Sequence, residues 1–241
     1  NYRFNFAEEG SQPLFSVVQG FNFWLDLKYV IGEDNVEYGL EVVGLRTDFQ
    51  TYNSLDVSVD QQENNTELGG YLDYTFTRGQ WILQPSLRMQ YYSSLAKMRP
   101  EPRIGMKFKA SERLRFKAAA GMYSQNVISA NSDRDIVNLF YGFLAGPQNL
   151  QDDLQLPNGE QREVVHSLQT ANHVVAGFEF DLTERLNVNA EGYIKHFTQL
   201  SNFNRNKLFP DNITYVNEPD AFKKDFLVET GRGFGADVVV K

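Results

Sequence analysis

Residues 173–182 read "HVVAGFEFDL". In an extended chain, successive side chains point to opposite sides. Val174, Ala176, Phe178, Phe180 and Leu182 then share one face, and Glu179 and Asp181 lie on the other. The same split recurs. "ELGGYLDYTF" sets Leu68, Leu72, Tyr74 and Phe76 against Glu67, Tyr71, Asp73 and Thr75, and "WILQPSLRMQY" sets Trp81, Leu83, Pro85, Leu87, Met89 and Tyr91 against Gln84, Ser86, Arg88 and Gln90. "RIGMKFK", "FNFWLDLKY" and "VEYGLEV" repeat it. Each run reads as a strand with one apolar and one charged face.

About nine such strands are expected, near 21–31, 36–47, 67–78, 81–92, 100–109, 113–124, 173–182, 186–198 and 228–241. Their lengths cluster near the ~9–11 residues with which a tilted strand crosses a bilayer, against ~5–6 for ordinary soluble strands. The connections alternate. Tight links are read at 32–35, 79–80, 111–113 and 183–185, and long ones at 48–66, 125–172 and 199–227, with 93–99 a short exception. In an up-and-down antiparallel sheet alternate links share an end, so the tight turns lie on one side and the long loops on the other, as in outer-membrane barrels. Aromatics extend the pattern. Phe76 and Trp81 flank the 79–80 turn, Phe108 and Phe180 precede two others, and Tyr91, Tyr92, Tyr123 and Phe197 sit towards the opposite strand ends. Two interfacial girdles are expected. The near-repeat of "GMKFKASERL" (105–114) in "GFEFDLTERL" (177–186) marks two equivalent hairpins. The fold class is therefore all-β, an antiparallel up-and-down transmembrane β-barrel wall.

Composition agrees. In 241 residues, 14% are aromatic, with 19 Phe and 12 Tyr, as expected where strands meet a different solvent on each face. No stretch is long and apolar enough for a transmembrane helix, and "NYRFNFAEEG" lacks the basic start and apolar core of a signal peptide. The net charge of −8, with Lys and Arg scattered among acids, speaks against nucleic acid as a partner. Without cysteine, neither disulfides nor thiolate metal sites are available.

"GRGFGADVVV" (231–240) carries the spacing G-x-G-x-x-A. A dinucleotide site needs a buried apolar strand before it and a helix after it. Here "AFKKDFLVET" precedes and β-branched "DVVVK" follows, so no nucleotide cofactor is expected. On a strand Gly231, Gly233 and Gly235 share the inner face, opposite Arg232, Phe234 and Ala236. They would admit a bulky neighbour or a plug, or simply relieve strand strain.

Catalytic patterns are missing. His166, His173 and His196 show no zinc-ligand spacing, there is no G-x-S-x-G elbow, and adjacent carboxylates such as Glu8/Glu9 and Asp152/Asp153 point apart in extended chain. An enzyme is not expected, nor a metal. The acids of loop 125–172 lack the calcium-loop spacing and read as solvated. "DIVNLFYGFLAG" (135–146) is too apolar for a fully exposed loop, so a short helix or packing over a pore mouth is expected.

"EPRIGMKFKASERLRFKAAAGMYSQ" (101–125) resembles barrel hairpins of TonB-dependent outer-membrane receptors, which carry a P-R-x-G strand, a turn and a G-x-y-s-Q end. "HVVAGFEFDLTERLNVNAEGYIKHFTQL" (173–200) resembles a following hairpin, with its E-G-Y-x-K run. "GRGFGADVVV" resembles the next strand, with Asp237 in the acidic place and Ala236 departing from the usual glycine. "SDRDIVNLFYGFLAGP" (132–147) resembles the Bacteroidetes-type branch. The resemblance is good over 100–241 and rests on pattern alone over 1–99. It implies a 22-stranded barrel in the outer membrane, filled by a plug domain and coupled to TonB, importing a small nutrient ligand and in some members capped by a surface lipoprotein. No plug-like segment or TonB box is recognisable here, and "VVVK" stops in mid-strand, so residues 1–241 are expected to be part of a longer barrel in contact with outer-membrane lipid. Location suggests Tyr123, Gln125, Asn126, Asp133, Arg134 and Asp135 as substrate-facing. A passive porin or structural barrel would share every lipid-facing feature, and a soluble carbohydrate-binding β protein would show the alternation without lipid contact.

Overall fold

The computed structural model describes residues 1–7, 14–52, 57–131 and 141–241. The chain begins with β1 (Tyr2–Phe6), β2 (Leu14–Ile31), β3 (Asp34–Tyr52), β4 (Ser58–Arg78), β5 (Trp81–Tyr92), β6 (Lys97–Lys109) and β7 (Leu114–Gln125). Four short strands follow, β8 (Val127–Asn131), β9 (Tyr141–Ala145), β10 (Asp153–Gln155) and β11 (Gln161–Glu163). The long strands β12 (Gln169–Thr183), β13 (Leu186–Phe203) and β14 (Phe226–Val240) complete it. Ten strands form one sheet in the order β1-β2-β3-β4-β5-β6-β7-β12-β13-β14, every pair antiparallel, open at β1 and β14 among the described residues. The chain carries the fold of an outer-membrane β-barrel wall.

Register explains the alternation. One row runs Leu25↔Leu40↔Gly70↔Met89↔Pro100, another Trp81↔Phe108↔Phe116↔Phe178↔Ala190↔Val238. Apolar residues thus fall on one face across the whole sheet, and that face is bare. On β2 alone Phe21, Phe23, Leu25, Leu27, Tyr29 and Ile31 are between 45% and 65% exposed. Burying such a side chain contributes roughly 1.5–3 kcal/mol. Half-exposing six of them in water would forgo about 5–9 kcal/mol, comparable to the ~5–15 kcal/mol that holds a typical domain folded. A hydrocarbon solvent removes the penalty. Towards the loop end the same face turns polar at Gln19, Arg46, Asn172, His196 and Arg232. The apolar file of β2 from Phe21 to Ile31 therefore matches the ~9–11 residues of a crossing strand.

The structure lengthens the strands beyond this band. β2, β3, β4 and β13 run 18, 19, 21 and 18 residues, all overshooting at the loop end. The long loop expected at 48–66 is accordingly mostly ladder, since β3 pairs with β4 out to Tyr52↔Ser58. Backbone pairing continues there after the apolar alternation has stopped, and so left no periodic signal. β1 adds a tenth strand. The loop-end girdle is also corrected. Phe76, Trp81 and Phe180 do stand exposed on the apolar face, but Tyr92, Tyr123 and Phe197 point to the polar one. Tyr92 is buried and meets Ser124 at 2.9 Å. Only Tyr91, paired with Leu68 and Met98, keeps the apolar side.

On the polar face, glycines let side chains meet across an intervening strand. Asp26, Gly39 and Tyr71 are in register on β2, β3 and β4, and the Tyr71 hydroxyl donates to Asp26 Oδ1 at 2.7 Å over the glycine. Lys117, Gly177 and Glu191 are likewise in register on β7, β12 and β13, and Lys117 pairs with Glu191 over Gly177. The Gly231/Gly233/Gly235 file lies on this face under aromatic rings. A Cβ at Gly235 would stand 2.6 Å from Tyr193 Cζ, and one at Gly231 3.5 Å from the Phe197 ring. The bulky neighbour is thus the adjacent strand's own aromatic pair.

Candidate functional site at the loop end of the polar face

The described parts of the 126–168 connection, 126–131 and 141–168, do not extend freely from the sheet. Strands β8 and β9 pair as a hairpin that folds back onto the polar face of β2–β4. Its apolar side chains Ile128 and Leu144 join Phe49, Val59 and Phe226 in the main buried cluster. Fully buried hydroxyls fix its backbone: Phe143 N donates to Ser16 Oγ at 3.0 Å and Ala145 N to Thr47 Oγ1 at 3.2 Å. Gln61 Nε2 donates to Gly146 O at 3.0 Å, and Tyr2 meets Phe143 edge to face. Of the apolar stretch 135–146, the described part, 141–146, therefore packs inward as strand, with no helix.

Between this hairpin and the ends of β6, β7, β12 and β13, a chain of contacts crosses four strands. Glu101, almost fully buried, accepts from Ser124 N at 2.8 Å, Ser124 Oγ at 2.6 Å and Arg103 Nη2 at 2.6 Å. Each lone pair so satisfied offsets the cost of burying the charge. The Arg103 guanidinium stands 4.6 Å over the Tyr123 ring, whose centroid is 4.6 Å from His173, itself edge-on to Phe197 at 6.2 Å. Register places Gly121 between Arg103 and His173, and Tyr123 leans into that gap, 3.1 Å from where a Cβ would be.

This ridge separates two clefts. The larger, about 570 Å³, is lined by Tyr123, Gln125, Gln169, His173, Phe197 and Asn202 among others, all uncharged apart from the titratable His173. The smaller, about 210 Å³, is lined by Glu67, Arg88, Glu101, Arg103, Gln125 and Asn126 among others. Of the six residues suggested by location, Tyr123, Gln125 and Asn126 are brought together here, while Asp133, Arg134 and Asp135 lie outside the described residues. Glu67, Glu101, Arg103 and His173 were not singled out as site residues, because a polar side chain near a strand end looks purely structural until the register is known.

The remaining loops pack together around this mouth. Lys224 joins Asp152 at 3.3 Å and Asp211 at 3.2 Å, and Asp152 N donates to Asp220 Oδ2 at 2.8 Å. Asp152, in the loop whose acids were read as solvated, is thus tied to the 199–227 segment. His166 accepts a bond on its carbonyl from Gln199 Nε2 at 2.6 Å. Burial, aided by the nearby Lys97, Arg99 and Arg162 charges, pulls its pKa down.

Comparison with protein-family models finds no match, and no curated protein matches the sequence. Solved structures do match in fold. The siderophore receptor PirA from Pseudomonas aeruginosa aligns over 93% of this chain and 40% of its own, at 11% identity and TM-score 0.54. The RagAB peptide importer in its closed-closed state aligns over 95% and 28%, at 14% identity and TM-score 0.54. The copper transporter OprC aligns over 95% and 35%, at 13% identity and TM-score 0.54. The chain thus spans between 28% and 40% of the length of these three chains, and what it shares with them is the wall of an outer-membrane β-barrel.

Proposed function

We propose that this chain is part of the barrel of an outer-membrane active-transport receptor, which binds a scarce nutrient at its loop-end mouth and imports it by TonB coupling. The observation that carries this reading is the pairing of a bare apolar face, one bilayer-crossing strand tall, with a polar face whose mouth is built into clefts by an inward-folded hairpin. The similar structures, a siderophore receptor, a peptide importer and a copper transporter, are consistent with uptake. The open sheet supports completion by further strands, because lipid does not tolerate unpaired strand edges. On the family resemblance these total 22 and enclose a plug. Tyr123, Gln125 and Asn126, with Asp133, Arg134 and Asp135, are the proposed ligand-facing set. A surface lipoprotein over the mouth follows from the Bacteroidetes-type resemblance of 132–147 and is part of the same proposal.

The test is nutrient-limited growth of cells expressing the full-length gene product, with and without TonB. Growth support that disappears with TonB is expected. Support that persists without TonB, at a rate proportional to external solute, would make the protein a passive pore.

A further inference from the structure

The outer surface of the wall carries a positive charge that its own residues leave unmatched. Asn172, His196 and Arg232 are in register on β12, β13 and β14 and stand on the apolar face. The next row towards the turns is Val174, Ile194 and Phe234, all exposed. From that row the apolar file runs down β12 to Leu182 and returns on β13 from Leu186 to Ile194, matching the ~9–11 residues of a crossing strand. Asn172, His196 and Arg232 therefore lie one step outside hydrocarbon, at the height of lipid headgroups. We infer that this row binds the phosphate of a membrane lipid in the loop-side leaflet.

Charge balance decides the sign of the ligand. From this row to the turns, β12, β13 and β14 carry no carboxylate on the apolar face. Neither His196 nor Arg232 has an ion pair among the described residues. Along β14 the nearest acid is Glu229, which three positions of alternation put on the polar face, where it accepts from Asn202 Nδ2 at 2.9 Å. Arg46, the cation at the same end of β3, is placed differently. It is in register with Gln19 and Asn64, and Asp48 follows two residues along on its own face. Only the β12–β14 row thus presents a cation with no acid beside it. Arginine offers a planar fork of donors that fits phosphate oxygens in pairs, and such bonds are charge-assisted. The His196 ring and the Asn172 amide add donors from the neighbouring strands. Side chains directly opposite stand about 4.5–5.5 Å apart at Cβ, close enough for His196 and Arg232 to share one phosphate. The attached acyl chains then cover Val174, Ile194 and Phe234, a contact that free phosphate cannot make.

The experiment is native mass spectrometry of the full-length gene product released from detergent micelles, with dioleoyl phosphatidic acid and dioleoylglycerol as probes. The two share their acyl chains and differ by the phosphate. Phosphatidic acid is expected to be retained about tenfold more tightly, the equivalent of one charge-assisted hydrogen bond. Arg232→Gln and His196→Gln should each reduce that preference, Arg232→Lys, which keeps the charge, should recover part of it, and Arg46→Gln should leave it intact. Equal retention of the two lipids, a preference that survives in both Arg232→Gln and His196→Gln, or an equal loss in Arg46→Gln would overturn the assignment. Displacement of the phosphatidic acid by inorganic phosphate alone would also overturn it, making this a site for the free anion.

Discussion

Replacing Gly177 by alanine should destabilise the barrel far more than the same change at Gly235, although both glycines occupy polar-face positions on long strands. A Cβ at Gly177 would stand 2.2 Å from the Ala190 carbonyl oxygen and 2.9 Å from Glu191 Cα, both backbone atoms of β13. Ordinary carbon–oxygen contacts are roughly 3.3 Å or longer, so β12 and β13 must part by about 1 Å. Overpacking of that kind costs about 1–3 kcal/mol, and weakening one or two ladder bonds adds about 0.5–1.5 kcal/mol each. Loss of unfolded-chain freedom returns only about 0.4–1 kcal/mol. The net expectation is about 2–3 kcal/mol. At Gly235 the nearest atoms are Tyr193 Oη at 2.5 Å and Cζ at 2.6 Å, the swinging end of a side chain, and the cost should stay within about 1 kcal/mol once the ring turns aside. Urea titration of the full barrel in micelles, followed by the gel-mobility difference between folded and unfolded forms, reads both values. A Gly177→Ala variant within about 0.5 kcal/mol of wild type, or a Gly235→Ala variant that is the worse of the two, would refute the reasoning.

The two tryptophans lie on opposite faces, Trp24 in register with Glu41 and Trp81 with Phe108. In single-tryptophan variants, brominated lipid should quench Trp81 strongly and Trp24 weakly, and equal quenching would remove the assignment of faces. Thr47→Val should loosen the β8–β9 hairpin by leaving Ala145 N unpaired, at a cost of about 1–3 kcal/mol, seen as faster amide exchange over 141–146. Glu101→Gln should cost about 1–3 kcal/mol of stability by weakening bonds to Ser124 and Arg103, with a larger loss in Glu101→Ala. His166 has a folded pKa below its usual value near roughly 6.5, so the unfolded chain binds the proton more readily. Stability should therefore fall as pH drops below about 6.5 and level off beneath the folded pKa, and His166→Gln should remove that part of the dependence.

The wall was largely legible in the sequence because lipid on one side and water on the other impose a period of two that survives in any register. Strand 81–92 and the 79–80 turn stand where the alternation and the Gly79–Gln80 pair placed them. What the alternation could not convey is pairing beyond the bilayer. Residues such as 58–66 carry no apolar file, yet they complete a ladder with β3. The hairpin was half legible. The apolar excess of 135–146 demanded burial, but its seat is built from Ser16, Phe49, Thr47 and Val59, far away in the chain, and no local pattern names them. Tyr92, Tyr123 and Phe197 were assigned by position along their strands, when the side they face depends on parity. The site inherited that gap: Arg103 and His173 meet Tyr123, and Glu101 meets Ser124, only once three strands are in register.

The glycine crossings have a bearing on assembly. A one-residue slip carries every side chain of a strand to the opposite face. Because Asp26 reaches Tyr71 over Gly39, and Lys117 reaches Glu191 over Gly177, each such contact is a coincidence of three strands. A slip of the middle strand puts a side chain where the glycine was, and a slip of an outer strand sends a carboxylate, an ammonium or the Tyr71 hydroxyl away from its partner and towards hydrocarbon. Two neighbours could settle into a wrong ladder that satisfies their backbones; a third strand would then find no partner to reach. Order is thereby checked against a strand not yet adjacent, a form of proofreading written into the wall itself.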